Sequence, residues 1–164
     1  MINYRSPQAS EGKILWELTD ATKKLDLNSP YAYMLIGEHF AETSAVAVDG
    51  DKVVGFASGY IPPAKPDTLF VWQVGVNSDY RGQGIAGKLL NHMLSQPACN
   101  NIQFIETTIT PDNVASRKLF QRLADTLGCA INETENYFPA EFFPGAGNEG
   151  HLAESLFRLG PFKA

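Results

Sequence analysis

A glycine-rich run with two basic residues joins a strand-like segment to a helix-like segment, and it reads VNSDYRGQGIAGKLL from Val76 to Leu90. Main-chain N–H groups at the start of a helix bind anions, and glycines let the backbone approach a phosphate closely. Arg81 and Lys88 add positive charge at the edge of such a site. The run therefore predicts a turn that binds phosphate groups.

Two phosphate-binding motifs fit this run only in part. Residues Gly82 to Gly87 spell the GxGxxG of dinucleotide-binding domains, and Glu106 lies about where the ribose-binding acid of that motif belongs. That motif follows its strand directly, however, whereas here NSDYR intervenes. The run also contains the GxxxxGK of a P-loop, ending at Lys88, but Leu89 occupies the position of the Mg²⁺-binding Ser or Thr. Both motifs are therefore disfavoured.

A third pattern, Arg81-x-x-Gly84-x-Ala86, resembles the R/Q-x-x-G-x-G/A signature of the GCN5-related N-acetyltransferase (GNAT) superfamily. In that superfamily the signature joins the fourth strand to the third helix and binds the pyrophosphate of acetyl-CoA. Alone, the pattern also fits a capped helix with a solvated arginine. The resemblance implies acetyl-CoA as cosubstrate, no metal, and these cofactor-binding residues: Val74, Val76, Arg81, Gly82, Gly84, Ile85, Ala86, Asn113 and Ser116.

A second segment, TPDNVASRKLF, resembles the helix that follows the fifth strand of the superfamily and carries N-x-x-[AS]-x-x-x-[YF]. Asn113, Ser116 and Phe120 occupy those positions. The resemblance implies that Asn113 hydrogen-bonds the pantetheine arm of the coenzyme or the substrate. A polar residue in the first turn of a helix is the structural alternative.

The elements that position these residues are indicated by apolar periodicity and by turn residues. The predicted helices cover residues 10–25 with Ser10 as cap, a segment that begins at Ser29 and Pro30, residues 84–95, and residues 110–128 with Thr110 as cap and Pro111 as first residue. The predicted strands flank the turn Asp49-Gly50 and cover residues 69–76, 102–109 and 155–159. This order predicts an α/β (α+β) fold, with a mixed central sheet flanked by helices on both faces in one layer-packed domain over residues 1–164. It is also the element order of the superfamily.

Four runs resemble the diaminobutyrate acetyltransferases within that superfamily: LDLNSPYAY, FVWQVGV, ETTITPDNVASRKLF and LFRLGPF. The similarity extends over nearly the whole chain, from Tyr4 to Phe162. It implies direct transfer of an acetyl group from acetyl-CoA to the γ-amine of L-2,4-diaminobutyrate in a ternary complex, as a step of ectoine biosynthesis. Two alternatives stay open, an acetyltransferase for another small diamine or amino acid and an acetyl-CoA-binding module without catalysis.

The acceptor needs groups that hold its carboxylate and α-amine apart from the thioester. Asp26 lies before a predicted helix start, where it either pairs with an ammonium group or flanks a turn. Tyr31 and Tyr33 either donate a hydroxyl or pack, and Trp72 either packs in the core or walls the aliphatic chain of the acceptor. The candidate substrate-binding residues are Asp26, Tyr31, Tyr33, Trp72, Asn113, His151 and Glu154.

The reaction needs a proton acceptor, because a side-chain ammonium is mostly charged at neutral pH. The superfamily often places a glutamate on its fourth strand for this purpose, whereas this chain has Gln73 there. We therefore expect a water relay through Asp26 or Glu154. In the superfamily a splay between the fourth and fifth strands frees a main-chain N–H, and the resemblance implies that one near Val74 polarises the thioester carbonyl.

The departing thiolate is commonly protonated in this superfamily by a tyrosine four residues after the [AS] position. Phe120 stands at that position here. Tyr31 or Tyr33 is expected to replace the missing hydroxyl, or the thiolate leaves without help. The candidate catalytic residues are Asp26, Trp72, Glu154 and Tyr31.

Composition narrows the class of partner. A net charge of −5 without a basic cluster argues against nucleic acid. The N-terminal segment lacks the apolar run of a signal peptide, and no stretch approaches the ~20 apolar residues of a membrane span. Cys99 and Cys129 form no CxxC pattern, which favours free thiols and a cytoplasmic protein. Phe138, Phe142 and Phe143 predict an exposed apolar patch and hence a homodimer.

Overall fold

The first of two compact units in this computed structural model comprises residues 1–102, and the second comprises residues 103–163. The structure describes residues 1–145 and 150–163. Four antiparallel strands of the first unit pair in chain order. Its elements are β1 (Ile2–Arg5), α1 (Gly12–Thr22), α2 (Pro30–His39), β2 (Ala45–Asp49), β3 (Lys52–Tyr60), β4 (Thr68–Val76) and α3 (Ile85–Ser95).

The helices of the first unit cover both faces of its sheet. Phe56 of β3 lies in a buried cluster with apolar residues of α1 and α2, namely Leu15, Leu18, Tyr33 and Ile36. Its neighbour Gly55 faces the other way, and a Cβ there would lie 3.4 Å from Ile85 of α3. Each fully buried large side chain stabilises the unit by roughly 1.5–3 kcal/mol. The predicted hairpin between β2 and β3 is confirmed, with Gly50 at a φ of +59° in its turn.

The second unit is a three-stranded antiparallel sheet with one α-helix. Its elements are β5 (Phe104–Ile109), α4 (Val114–Leu127), β6 (Ile131–Phe138) and β7 (Glu154–Leu159). β7 lies between β5 and β6 and is antiparallel to both. Arg117 of α4 donates to Glu133 of β6 at 3.0 Å and lies over the Phe157 ring of β7 at 5.0 Å. These contacts hold the helix on the β6–β7 pair.

Two of the strands, β1 and β6, were not predicted. β1 has four residues, and β6 reads INETENYF with all its residues exposed except the half-buried Ile131. A strand of this kind shows no alternation of apolar and polar residues, so periodicity misses it. β1 forms its hydrogen bonds by pairing with β2, and β6 forms its hydrogen bonds by pairing with β7. The division into one domain stays a prediction.

The start of α1 also differs from the prediction. A 3-10 turn at Ala9–Glu11 precedes the helix, and the Glu11 carboxylate accepts from the main-chain N of Gln8 at 2.8 Å. Ser10 lies inside this turn and is not the cap. Within residues 1–145 and 150–163, no helix is long and apolar enough to cross a membrane.

Candidate active site

The predicted phosphate turn opens α3 with backbone conformations that favour glycine. Gly82 and Gly84 have φ angles of +75° and +73°, and Gly84 is the N-cap of the helix. A Cβ at either position would meet no atom within 4 Å, so the space beside the turn is open. The first N–H groups of a helix, here those of Ile85 and Ala86, have no acceptor within it. The turn therefore has the geometry of an anion site at the positive end of a helix.

The segment between β4 and this turn is fixed by hydrogen bonds to the β2–β3 hairpin. The main-chain N of Asn77 donates to the carbonyl O of Val54 at 2.8 Å. The Tyr80 phenol donates to Oδ2 of Asp49 at 2.9 Å. These bonds position the NSDYR insertion, so that the exposed side chain of Arg81 comes immediately before the glycine turn.

The faces of β4 separate core residues from candidate site residues. Gln73 and Gly75 are buried, whereas Trp72 is exposed and Val74 and Val76 are half-buried. Because side chains alternate along a strand, the last three share one face. The two valines are the predicted coenzyme contacts on this strand.

Trp72 lies at a break in the β3–β4 pairing. Ser58 pairs with Gln73 and Gly59 pairs with Val71, so Trp72 is the extra residue of a bulge. Bulges redirect side chains. The indole is 40% exposed and meets a tyrosine ring of β3 edge-on at 6.5 Å. This exposure favours a wall of the acceptor site over a core position.

Gln73 is a buried polar residue that connects β4 to the segment between α1 and α2. Its Nε2 donates to the main-chain O of Asp26 at 2.6 Å, and its Oε1 accepts from the Tyr33 phenol at 3.1 Å. The Tyr33 oxygen also accepts from the main-chain N of Asn28 at 3.4 Å. Sequence reasoning missed this role. A glutamine among the apolar residues of a buried strand was the available signal.

The two tyrosines of α2 differ in environment. Ser29 caps this helix as predicted, accepting from the main-chain N of Ala32 at 3.3 Å. Tyr31 in its first turn is 64% exposed, whereas Tyr33 is fully buried. The Tyr33 phenol lies in the core and donates to Gln73. This burial supports packing as the role of Tyr33, and its contact with the substrate stays a prediction.

In the second unit, Asn113 is the N-cap of α4. Its Oδ1 accepts from the main-chain N of Ser116 at 3.2 Å, and the helix begins at Val114. The predicted start at Thr110 and Pro111 is therefore wrong, because the cap is supplied three residues later. The carboxamide Nδ2 of Asn113 remains the group suited to donate to a ligand.

The other candidates of this unit lie at the start of β7. Glu154 is half-buried, and its Oε1 accepts from Oγ1 of Thr108 at 3.1 Å. The His151 ring stacks on Phe143 at 3.9 Å, and its Nδ1 lies 2.6 Å from the carbonyl O of Leu152. Phe143 is half-buried through this stacking, contrary to the expectation of an exposed ring.

Several remaining groups are buried. Glu106, the acid that a dinucleotide motif would need, is 4% exposed and pairs with Arg158 at 2.5 Å. Phe120 lies in the core. Cys99 and Cys129 are free thiols as expected, and burial raises the pKa of Cys99 to about 11. Cys99 is therefore no nucleophile at neutral pH. In the described part of the chain, no group of three His, Cys, Asp or Glu side chains is placed to hold a metal ion.

Comparisons with known proteins find relatives over nearly the whole chain. The acetyltransferase (GNAT) family model matches residues 13–124. An L-2,4-diaminobutyric acid acetyltransferase of Halalkalibacterium halodurans is 43% identical over 162 residues, which are 98% of this chain and 82% of the relative. The enzyme of the same name from Marinococcus halophilus is 44% identical over 161 residues, covering 98% of this chain and 91% of that protein.

A solved structure is similar over the same extent. Diaminobutyrate acetyltransferase EctA from Paenibacillus lautus, in complex with its substrate L-2,4-diaminobutyric acid and coenzyme A, superposes with a TM-score of 0.94. It is 44% identical, and the match covers 100% of this chain and 97% of that chain. The ribosomal-protein-S18-alanine N-acetyltransferase of Escherichia coli, 16% identical with a TM-score of 0.72, shares the fold alone. The predicted fold class is thereby confirmed.

Proposed function

Since this chain belongs to the GNAT acetyltransferases, and among them to the L-2,4-diaminobutyrate acetyltransferases, we propose that it acetylates the γ-amine of L-2,4-diaminobutyrate with acetyl-CoA. The observation that carries the proposal is the similarity to such an enzyme over 100% of the chain at a TM-score of 0.94. The product is N4-acetyl-L-2,4-diaminobutyrate, and the reaction serves ectoine biosynthesis. The open glycine turn at the start of α3 supplies the anion site that the coenzyme requires.

The reaction is a direct transfer. The γ-ammonium loses a proton, and the nitrogen lone pair attacks the thioester carbonyl carbon. The new C–N bond forms, the C–S bond breaks, and the sulfur leaves as a thiolate that takes up a proton. No covalent intermediate on the protein is needed, which agrees with the raised pKa of the buried Cys99 thiol.

The coenzyme is proposed to bind through the glycine turn. The main-chain N–H groups of Gly84, Ile85 and Ala86 donate to the pyrophosphate, and Arg81 adds charge. Gly82 lacks a side chain in the open space beside the turn. Further proposed contacts lie on β4 and at the start of α4: Val74, Val76, Asn113 and Ser116.

The acceptor is proposed to bind beside the exposed face of β4. In the first unit, Asp26 pairs with an ammonium group, the Tyr31 hydroxyl donates to the acceptor, and the Trp72 indole flanks its aliphatic chain. In the second unit, His151 and Glu154 are proposed acceptor-binding residues. Asn113 is proposed to serve the acceptor as well as the coenzyme.

Proton transfer is proposed to run through water. Gln73 cannot act as a base, since a carboxamide does not take up a proton at neutral pH. Asp26 or Glu154 therefore receives the proton of the amine through a relay. Tyr31 is the proposed acid for the thiolate, because Phe120 has no hydroxyl and Tyr33 is buried.

The test is a panel of acceptors assayed for release of CoA thiol. We expect kcat/KM for L-2,4-diaminobutyrate to exceed that for ornithine, lysine and other diamines by at least about a hundredfold. The reason is that each misplaced polar group in a closed site lowers kcat/KM by a large factor. A preference for another diamine would refute diaminobutyrate as the substrate, while acetyl transfer to an amine would stand as the reaction. Coenzyme binding without turnover of any amine would make the chain a binding module.

The assembly and location are part of the same proposal. We propose a homodimer, supported by the exposed Phe138 and Phe142 near the end of β6. We propose a cytoplasmic protein, supported by two free cysteines and by the supply of acetyl-CoA in that compartment.

A further inference from the structure

Gln73 contacts the segments that carry all three acceptor residues proposed in the first unit. Trp72 precedes it on β4. Its Nε2 donates to the main-chain O of Asp26 at 2.6 Å. Its Oε1 accepts at 3.1 Å from Tyr33, which is two residues beyond Tyr31. These bonds join parts of the chain that lie 47 and 40 residues apart in sequence.

We propose that Gln73 is a positioning residue, which holds residues 23–29 between α1 and α2, the acceptor loop, in the conformation that binds the amine substrate. This inference rests on the proposed function. The loop has no helix or strand of its own, and it leaves α1 through Lys23 at a φ of +54°. Its conformation therefore depends on contacts to other elements. The Gln73 bond to Asp26 and the Tyr33 bond to Asn28 are two such contacts.

The neighbouring Gly75 supports the close approach of this loop to β4. A Cβ at Gly75 would lie 3.5 Å from Cδ1 of Leu25 and 3.0 Å from the Phe56 ring. A larger residue would therefore have to displace one of these side chains. Apolar packing at Leu25 and the polar bond at Asp26 thus hold adjacent loop residues on the same strand.

A carboxamide is the group that this position requires. It donates through Nε2 and accepts through Oε1 at the same time, and both functions are in use. An ionised carboxylate only accepts, so a glutamate would set an oxygen against the carbonyl O of Asp26. Gln73 is 6% exposed, so water cannot easily compensate. Gln73 thus occupies the strand on which the superfamily often carries a glutamate base, and the same side chain is proposed to fix the acceptor loop.

The experiment compares Gln73→Glu with the unchanged chain. Loss of a short buried hydrogen bond is expected to raise KM for diaminobutyrate about tenfold or more. We expect kcat to fall by a smaller factor than KM rises, because the loop also carries Asp26, a proposed member of the proton relay. The acetyl-CoA dissociation constant should change by less than about twofold, since coenzyme binding does not depend directly on the acceptor loop. Amide hydrogen exchange of residues 23–29 is expected to accelerate in the variant without ligand.

Gln96 provides a matched control. It is also buried, its Nε2 donates to the main-chain O of Ser44 at 2.8 Å, and its Oε1 accepts from Ser6 at 2.9 Å. Gln96→Glu therefore makes the same chemical change at a buried bridge between other segments. We expect a similar loss of stability without a change in acceptor KM or in exchange of residues 23–29.

Two milder variants keep the test usable if Gln73→Glu does not fold. Gln73→Met retains the length of the side chain and removes both of its hydrogen bonds, and Tyr33→Phe removes one of them. Both variants are expected to raise the acceptor KM, as Gln73→Glu does, and the rise should be smaller for Tyr33→Phe.

An unchanged acceptor KM together with unchanged exchange of residues 23–29 would overturn the positioning role. So would a gain in kcat for Gln73→Glu with a new acidic limb in its pH profile, because the carboxylate would then act as a base. Failure of the unchanged chain to acetylate diaminobutyrate would instead refute the proposed function. The exchange measurement would still decide the role of Gln73.

Discussion

At the scale of single residues, the acceptor-binding role proposed for Asp26, Tyr31 and Trp72 is supported by their exposed side chains. None of them lies in the glycine turn, and Trp72 lies at a bulge in β4. A large aromatic ring left 40% exposed beside a strand is available to flank an aliphatic ligand. A carboxylate is the matching group for an ammonium.

We expect Asp26→Ala and Trp72→Ala each to raise KM for diaminobutyrate at least about tenfold, because each removes a proposed charged or aromatic contact with the acceptor. Acetyl-CoA affinity, measured by calorimetry, should stay within about twofold. Trp16→Ala is the control, since Trp16 packs partly buried against the core cluster of α1 and α2 and should affect stability alone. Loss of coenzyme affinity with an unaltered acceptor KM would contradict this division of roles.

At the scale of elements, the glycines at the start of α3 have two functions, a conformational one and a steric one. The left-handed conformations of Gly82 and Gly84 turn the chain into the helix, and the absence of side chains keeps the space beside it open. A residue with a Cβ pays roughly 1–2 kcal/mol in that conformation. Gly87 lies within the helix, has no positive φ, and also faces open space.

We expect Gly84→Ala to lower the free energy of unfolding by about 1 kcal/mol, owing to its φ of +73°. Acetyl-CoA affinity should fall at the same time, because the added methyl group and the shifted backbone would disturb the N–H groups that are proposed to bind the pyrophosphate. Gly87→Ala should instead raise stability by about 0.5–1 kcal/mol, as alanine favours a helix. Urea unfolding and calorimetry test both variants. Equal changes in the free energy of unfolding and in acetyl-CoA affinity for the two substitutions would refute the interpretation that the turn requires glycine at position 84.

At the scale of the whole molecule, the proposed homodimer depends on exposed apolar side chains in the second unit. Phe138 and Phe142 are 38% and 67% exposed, as expected, whereas Phe143 is stacked on His151. Between Thr134 and Phe138 the pairing of β6 with β7 is interrupted, and Asn136 has a φ of +53°. Such an irregularity limits strand-to-strand extension, so side chains are the better candidates for the contact.

We expect the double variant Phe138→Ser, Phe142→Ser to weaken a dimer at least about tenfold, since each phenylalanine withdrawn from an interface costs about 1.5–3 kcal/mol. Light scattering over a range of concentrations measures the change. Met34→Ser, which alters an exposed residue of α2 in the first unit, is the control and should leave the mass unaltered. A monomeric unchanged chain at micromolar concentration would refute the dimer.

Turns and helix starts that depend on a few adjacent residues were predictable from the amino-acid sequence alone. The glycine turn, the Ser29–Pro30 helix start and the Asp49-Gly50 hairpin depend on the backbone preferences of a few adjacent residues, and the structure contains all three. The motifs resembling an acetyltransferase also lie in short runs. Such features need no knowledge of distant contacts.

Only the tertiary structure decided which polar side chains face a ligand and which support the fold. Tyr31 and Tyr33 are equivalent in sequence, yet one is exposed and the other is buried against Gln73. The bond from Gln73 to Asp26 spans 47 residues, and β1 and β6 exist through their pairing partners. The physical reason is that burial and hydrogen-bond partners over such separations are set by how elements pack. Periodicity along the chain carries no record of that packing.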